Sequence, residues 1–245
     1  MDRVRALQAH ERTRAVGGAT WGFRYRGRAL PGLHRTLKAH WVRPSRVKRV
    51  SPKSGIRPSS KAVGRRVDRE LGRVAQGKKL TALGRRCPYT LAALAFLKRH
   101  GLRPVAAQLP VVSLEGGGWA TAVDLVAVRD DTVYIIELKT GRSAMGTPGV
   151  YLRAPLDRVR DTDGARHALQ LAYMTECLRN EYGLRRHRGL LLYLQQSAAT
   201  REVRAVRQPA PTWARTQAQR TAIWRAATAK APPRTNAAKG KRRRR

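Results

Sequence analysis

The chain predicts an α/β fold, a small central mixed sheet flanked by helices, with a basic flexible arm at each end. Three observations carry this. Apolar residues recur at steps of three and four in some segments and run almost unbroken in others, and the two kinds alternate along residues 61–200. A hydrophobic share of 42% in 245 residues is enough for one core of ordinary size. The acidic residues concentrate in the same region. Residues 61–200 hold 23 basic and 12 acidic side chains, against 15 and 2 in residues 1–60 and 14 and 1 in residues 201–245.

Residues 61–76 read as a helix, with Val63, Val67, Leu71 and Val74 on one face. Thr90 is placed to cap a second helix that reaches His100, where Gly101 supplies a stop. Residues 105–114, 120–129 and 132–138 read as three strands, the last two joined by a tight turn at Asp130 and Asp131. A longer helix runs from about Thr162 to Tyr182 and ends at Gly183. Residues 189–194 are apolar on both faces, which predicts a strand inside the sheet.

The two ends are expected to be largely disordered, because such low-acid, turn-rich stretches bury too little apolar surface to offset the entropy of ordering. Within the N-terminal arm, 1–60, Trp21, Phe23 and Tyr25 interleave with Arg24 and Arg26, a pattern that suits either stacking on nucleic acid or capping of the core. Within the C-terminal arm, 201–245, Trp213, Gln217, Arg220 and Trp224 share one face of a candidate helix over 212–229.

Fifty-two Lys and Arg against fifteen Asp and Glu leave a formal charge of +37 and an isoelectric point near 11.8. That is the electrostatic footprint of a densely anionic partner, so DNA or RNA is expected. No membrane association is expected, since no apolar run approaches the roughly 18 to 20 residues needed to span a bilayer. Arg3, Arg5, Arg12 and Arg14 break up the first twenty residues, which argues against a secretory signal, and Asp2 and Glu11 argue against a mitochondrial presequence. The expected location is intracellular, the nucleus or another DNA-containing compartment. The terminal Lys239–Arg245 run reads as a nuclear localisation signal or a nucleic-acid tail, and so lopsided a charge also fits a viral protein. Cys87 and Cys177, without a CxxC spacing, read as plain buried thiols in a reducing compartment.

The chemistry concentrates between Asp124 and Lys139. A hairpin sets Asp124 beside Glu137 at the centres of neighbouring strands, among Val123, Leu125, Val126, Val133, Ile135 and Ile136. Carboxylates in such a setting must protonate or find a cation. One or two Mg²⁺ or Mn²⁺ ions fit, bound through the two carboxylates and the backbone carbonyl of Leu138. Lys139 is two residues beyond Glu137, hence on the same strand face, where an ammonium can orient an attacking water. The competing reading is a buried Asp124 or Glu137 salt-bridged to Lys139.

The pattern D-x12-E-L-K-T-G, followed by QLAY at Gln170–Tyr173 within the long helix, resembles the PD-(D/E)XK nuclease superfamily, in particular its RecB-type and phage-exonuclease-type branches. The segment GRRVDREL, with Gly64, Val67, Asp68 and Leu71, is similar to the family's upstream helix. The resemblance covers roughly residues 61–195. It implies a restriction-endonuclease-like core and a metal-dependent DNA nuclease, expected to be an exonuclease of DNA processing, recombination or repair. It implies Asp124 and Glu137 as metal ligands, Lys139 as catalytic lysine, and Gln170 with Tyr173 beside the active site. Asp68 is a further candidate ligand where a histidine is common in the family, with Glu70 as the alternative. Ala122 and Val123 stand where the family's proline is often found. Residues 140–162 are expected to form a loop over the site, with Arg142, Arg153, Arg158 and Arg160 as phosphate contacts. The alternative function is a basic nucleic-acid-binding or packaging protein that retains the nuclease fold, motivated by the charge of the arms.

Overall fold

The structure, a computed structural model, describes residues 5, 8, 16–17, 23–41, 60–140, 150–154, 156–197, 200, 202–208, 211, 214 and 217–228. In chain order the elements begin with β1 (Val16–Gly17), β2 (Phe23–Tyr25), β3 (Arg28–Leu30), α1 (Leu33–Trp41), α2 (Ser60–Ala75), α3 (Ala82–Arg85) and α4 (Pro88–Arg99). There follow β4 (Arg103–Ser113), β5 (Trp119–Arg129), β6 (Thr132–Thr140), α5 (Asp163–Asn180), β7 (His187–Gln196), β8 (Val203–Gln208) and α6 (Gln217–Thr228).

The main sheet has the order β4-β5-β6-β7-β8. Its first three strands form an antiparallel meander, β6 and β7 run parallel, and β8 returns antiparallel on β7. The parallel pair needs a crossover, and α5 supplies it. This is the expected mixed sheet between helices. One face carries Val123, Val126, Val133 and Ile135 against Leu37 and Trp41 of α1, Leu169 and Met174 of α5 and Trp224 of α6. Leu125, Ala127, Ile136 and Leu192 point to the other face, against Val67 and Leu71 of α2 and Phe96 and Leu97 of α4.

Local chemistry explains most boundaries. Asp130 turns the β5–β6 hairpin with φ +52°, a left-handed conformation that Asp tolerates better than most residues. Thr162 caps α5 by accepting from the Ala165 N–H at 3.0 Å, and Gly183 follows the helix at φ +68°. Thr90 does not cap α4, contrary to the sequence expectation. The helix starts earlier, at Pro88, whose fixed φ and missing N–H suit a first helical turn, and Thr90 lies fully buried within it.

The reading of residues 1–60 as a largely disordered arm is corrected over residues 23–41. Leu33, Leu37 and Trp41, one turn apart, are all buried, and their helix is tied down by its flanks. The Ala120 N–H donates to the Pro31 carbonyl at 2.9 Å, and Trp41 Nε1 donates to the Tyr173 hydroxyl at 2.5 Å. The C-terminal arm likewise contributes β8 and α6, where Ile223 and Trp224 are buried. The candidate helix over 212–229 therefore exists as Gln217–Thr228. Trp21, Trp213 and Lys239–Arg245 lie outside the described residues. Cys87 and Cys177 form no disulfide among the described residues and are buried, as expected.

Candidate active site

The pairing of β5 with β6 ends at Leu125 opposite Ile136, one residue short of Asp124 and Glu137. There the backbone turns its polar groups into the gap. The Leu138 N–H donates to Asp124 Oδ2 at 2.8 Å, so the chain between Glu137 and Lys139 lies against the Asp124 carboxylate. Glu137, on the next strand, is 1% exposed and gives Oε1 to the Lys139 ammonium. Its second oxygen, Oε2, is buried without a hydrogen-bond partner among the described residues.

The electrostatics follow from that crowding. Burial, and then the charge of Asp124, push the Glu137 carboxyl up to about 8 against the pull of Lys139. Asp124 is raised by burial against the opposing effects of Lys139, the Leu138 N–H and Gln108. Asp68, on α2, rises to about 7 through burial and the charge of Asp124. Burial alone would lower Lys139, but Glu137, Asp124 and Asp68 together hold it raised, as a firm ammonium. Three carboxylates thus crowd one cation, in a protein that is cationic almost everywhere else.

Hydrogen bonding separates the surroundings of Asp68 and Glu70. Glu70 is 1% exposed and accepts from Thr81 twice, from its hydroxyl at 2.6 Å and its N–H at 3.0 Å. Burial would raise its carboxyl, but these bonds hold it below the usual value, so Glu70 serves the α2–α3 junction. Gly84 packs so closely there that an added Cβ would stand 2.2 Å from Glu70 Oε2. Asp68 is the one of the two whose charge couples to Asp124, Glu137 and Lys139.

Two expectations on the long helix fare differently. Gln170 is half-buried on α5 and makes no hydrogen bond among the described residues. Tyr173 is not brought to the carboxylates: it is 2% exposed, its hydroxyl accepts from Trp41, and its ring packs on Trp119 and Trp224. Residues 150–154 and 156–162 come together through the Tyr151–Arg160 bridge, with Leu152 and Leu156 buried. Arg153 is occupied in closing α1, donating from its N–H to the Trp41 carbonyl at 2.9 Å and from Nη1 to the Ala39 carbonyl at 3.1 Å. Arg158 and Arg160 are exposed, and Arg142 lies outside the described residues.

Three residues near the site gave little warning in the sequence. Gln108 sits in the middle of β4 with φ +50°, a conformation costly for a residue with a side chain, and its Nε2 donates to Asp124 Oδ1 at 3.3 Å. A lone amide inside the apolar run Val105–Val112 is the only sequence signal for it. Tyr193 stands beside Lys139 in the parallel β6–β7 register, and its hydroxyl meets His167 Nδ1 at 2.7 Å. Burial and the Lys139 charge push the His167 imidazole down to about 4, so it is neutral at physiological pH.

The donor set suits a hard divalent cation. Among the described residues no three His, Cys, Asp or Glu side chains gather as a metal-binding group. Mg²⁺ typically needs only one or two carboxylates, with water and substrate oxygens completing its shell. Asp124 and Glu137 supply two, and the orphaned Glu137 Oε2 is a buried acceptor that a cation satisfies. The fit rests on that atom. A cavity of about 370 Å³ elsewhere, around Thr175 and Leu191, is lined by none of these carboxylates.

Comparison with known proteins adds one distant likeness. No protein-family model and no curated protein matches the chain. A crystal structure from Eubacterium rectale named "Putative exonuclease" is similar over 71% of this chain, at 15% identity and a TM-score of 0.40. The match spans 65% of that chain's length.

Among the described residues no helix is long and apolar enough to cross a membrane.

Proposed function

We propose that the protein is a metal-dependent nuclease that hydrolyses phosphodiester bonds, acts on DNA, and works as an exonuclease. The single observation that carries this is the buried Glu137, with one oxygen on Lys139 and the other unpartnered, in a cluster with Asp124 and Asp68. The charge of +37 supports an anionic polymer as substrate, and the D-x12-ELKTG pattern with its later QLAY supports the superfamily reading. Asp124 and Glu137 would hold one or two Mg²⁺ or Mn²⁺ ions, helped by the Leu138 carbonyl, with Asp68 adjoining.

Such an ion, when bound, would supply charge neutralisation at the scissile phosphate. The chain's own groups do the rest. Lys139, held as an ammonium, orients the attacking water and offsets negative charge that develops on phosphorus oxygens. Gln108 and the Leu138 N–H fix the Asp124 carboxylate. Glu137 is 1% exposed, so bulk water is largely kept from it, which strengthens each of these interactions. Gln170, free of internal hydrogen bonds among the described residues, is available to the phosphate backbone.

The test is incubation of purified protein with linear and circular DNA, with Mg²⁺ and with EDTA. Linear DNA should be degraded in Mg²⁺ alone, circular DNA should survive, and Lys139→Ala and Asp124→Asn should each abolish cleavage. Cleavage that persists in Lys139→Ala refutes the assignment. The charge itself favours a second reading, a nucleic-acid-packaging protein on the same fold, which predicts tight, salt-sensitive binding without any cleavage.

A further inference from the structure

The carboxylate cluster opens on a groove that its own chemistry does not require. A trough of about 790 Å³ runs between α2 and β4, and Asp68 and Gln108, which face the cluster, are among its lining residues. Arg65, Arg66 and Arg69 also line it, from the helix side. None of the three arginines makes an ion pair or hydrogen bond among the described residues. Arg69 acts at longer range on Glu70, whose carboxyl it helps to lower, and the three guanidinium groups remain open to an outside partner.

The placement follows from the helix. Val67 and Leu71 fill the core side of α2, while positions 62, 65, 66, 69, 72 and 76 recur at steps of three and four along the other. Arg65 and Arg69 are one turn apart, about 6 Å along the axis. On the opposite side it is lined by Ala107 and Gln108 of β4, the strand at one end of the sheet order. Among the described residues no aromatic side chain lines the trough. Guanidinium groups match phosphate oxygens in a fork geometry and carry no sequence preference when they do so.

We infer that this groove guides the phosphodiester backbone of a nucleic-acid strand to the carboxylate cluster, with Arg65, Arg66 and Arg69 on consecutive phosphates and Gln108 at the inner end, beside Asp124. The inference rests on the nuclease reading of that cluster. It assigns strand guidance to α2, an element whose sequence otherwise reads as a core helix. It also accounts for the strained backbone at Gln108, which places one amide where the groove meets Asp124.

The test compares two triple variants of the full chain that carry the same formal charge. R65E/R66E/R69E reverses the groove, and R86E/K98E/R99E reverses three exposed cations outside it. Affinity for a fluorescent single-stranded oligonucleotide is read by anisotropy in EDTA across a salt series, and kcat and KM for cleavage are read in Mg²⁺. The groove variant should bind about tenfold more weakly than the control variant, with a salt slope smaller by about 2, the value for three lost single-strand phosphate contacts. Its KM should rise while kcat at saturation stays near that of the control. Equal losses in both variants overturn the groove and leave the nuclease reading standing. A wild-type protein that binds but cuts nothing overturns the nuclease reading, while the binding comparison still decides the groove. A wild-type protein that binds no oligonucleotide overturns both. If reversal prevents folding, judged by the thermal transition, the matched Arg→Gln and Lys→Gln triples repeat the comparison.

Discussion

Replacing Glu137 by Gln distinguishes a carboxylate that awaits a cation from one half of a structural salt bridge. Glutamine keeps the shape of the side chain and removes the charge. The native site holds the Glu137 carboxyl at about 8 against an ordinary value of 4.5. At about 1.4 kcal/mol per unit, that is on the order of 5 kcal/mol of preference for the protonated acid. The folded-state value is raised, so the metal-free native state binds this proton more tightly than the unfolded chain does. The stability associated with it is present below about pH 4.5 and is lost as pH climbs towards 8. Glutamine has no proton to lose.

Lys139 gives up one of its carboxylate neighbours in this variant but keeps Asp124 and Asp68. A net gain of about 2 to 3 kcal/mol at pH 8 is therefore expected, roughly 5 to 10 °C in Tm for a chain of this size. Thermal scans in EDTA from pH 5 to 8.5 should show the gain growing with pH. Millimolar Mn²⁺ should then raise the wild-type Tm and leave the variant unmoved. A variant less stable than wild type at pH 8, in EDTA, would mean that the Glu137–Lys139 pair is an internal salt bridge and that the argument for a cation is wrong.

Other perturbations probe the surroundings. Trp41→Ala empties a fully buried site and strands the Tyr173 hydroxyl, so it should cost about 4 to 6 kcal/mol and show as a Tm fall of more than 8 °C. A smaller change would mean that α1 is not part of the core. Gln108→Gly relieves the positive φ and should leave stability level or raised by about 1 kcal/mol, while nuclease activity falls because Asp124 loses a donor. Loss of stability and activity together would contradict that. Gly84→Ala drives a methyl into the Glu70 carboxylate and should destabilise by about 1 to 3 kcal/mol in a denaturant titration, whereas Leu83→Ala, at an exposed neighbour, should change little.

The parts of the fold that were legible in the sequence are those fixed by local rules. Apolar periodicity marked α2, the β4–β6 strands and α5, the Asp130–Asp131 pair marked the hairpin, and Thr162 and Gly183 marked the two ends of α5. Asp124, Glu137 and Lys139 converge because a hairpin register is itself a local property. The failures are non-local. The Arg and His content of residues 28–41 hid Leu33, Leu37 and Trp41, whose partners lie in α5 and the sheet. β8 is an edge strand with mostly exposed side chains, so it carries no apolar alternation to read. Tyr173 sits one turn from Gln170 and matched a motif, yet a tryptophan far away in sequence claims its hydroxyl. Gln108 depends on a distortion of β4 that no residue type announces.

The Trp41–Tyr173 bond joins residues 132 positions apart, which has a consequence for how the chain is made. At ribosomal rates of about 5 to 20 residues per second, α1 leaves the exit tunnel roughly 7 to 26 seconds before its partner. For that interval Leu33, Leu37 and Trp41 have no α5 to cover them, beside a basic stretch and against a particle built largely of RNA. α1 therefore meets polyanion before it meets the rest of its own core. Slowing translation just after the codon for Trp41 should lengthen that exposure and raise the share of chain that sediments with ribosomes.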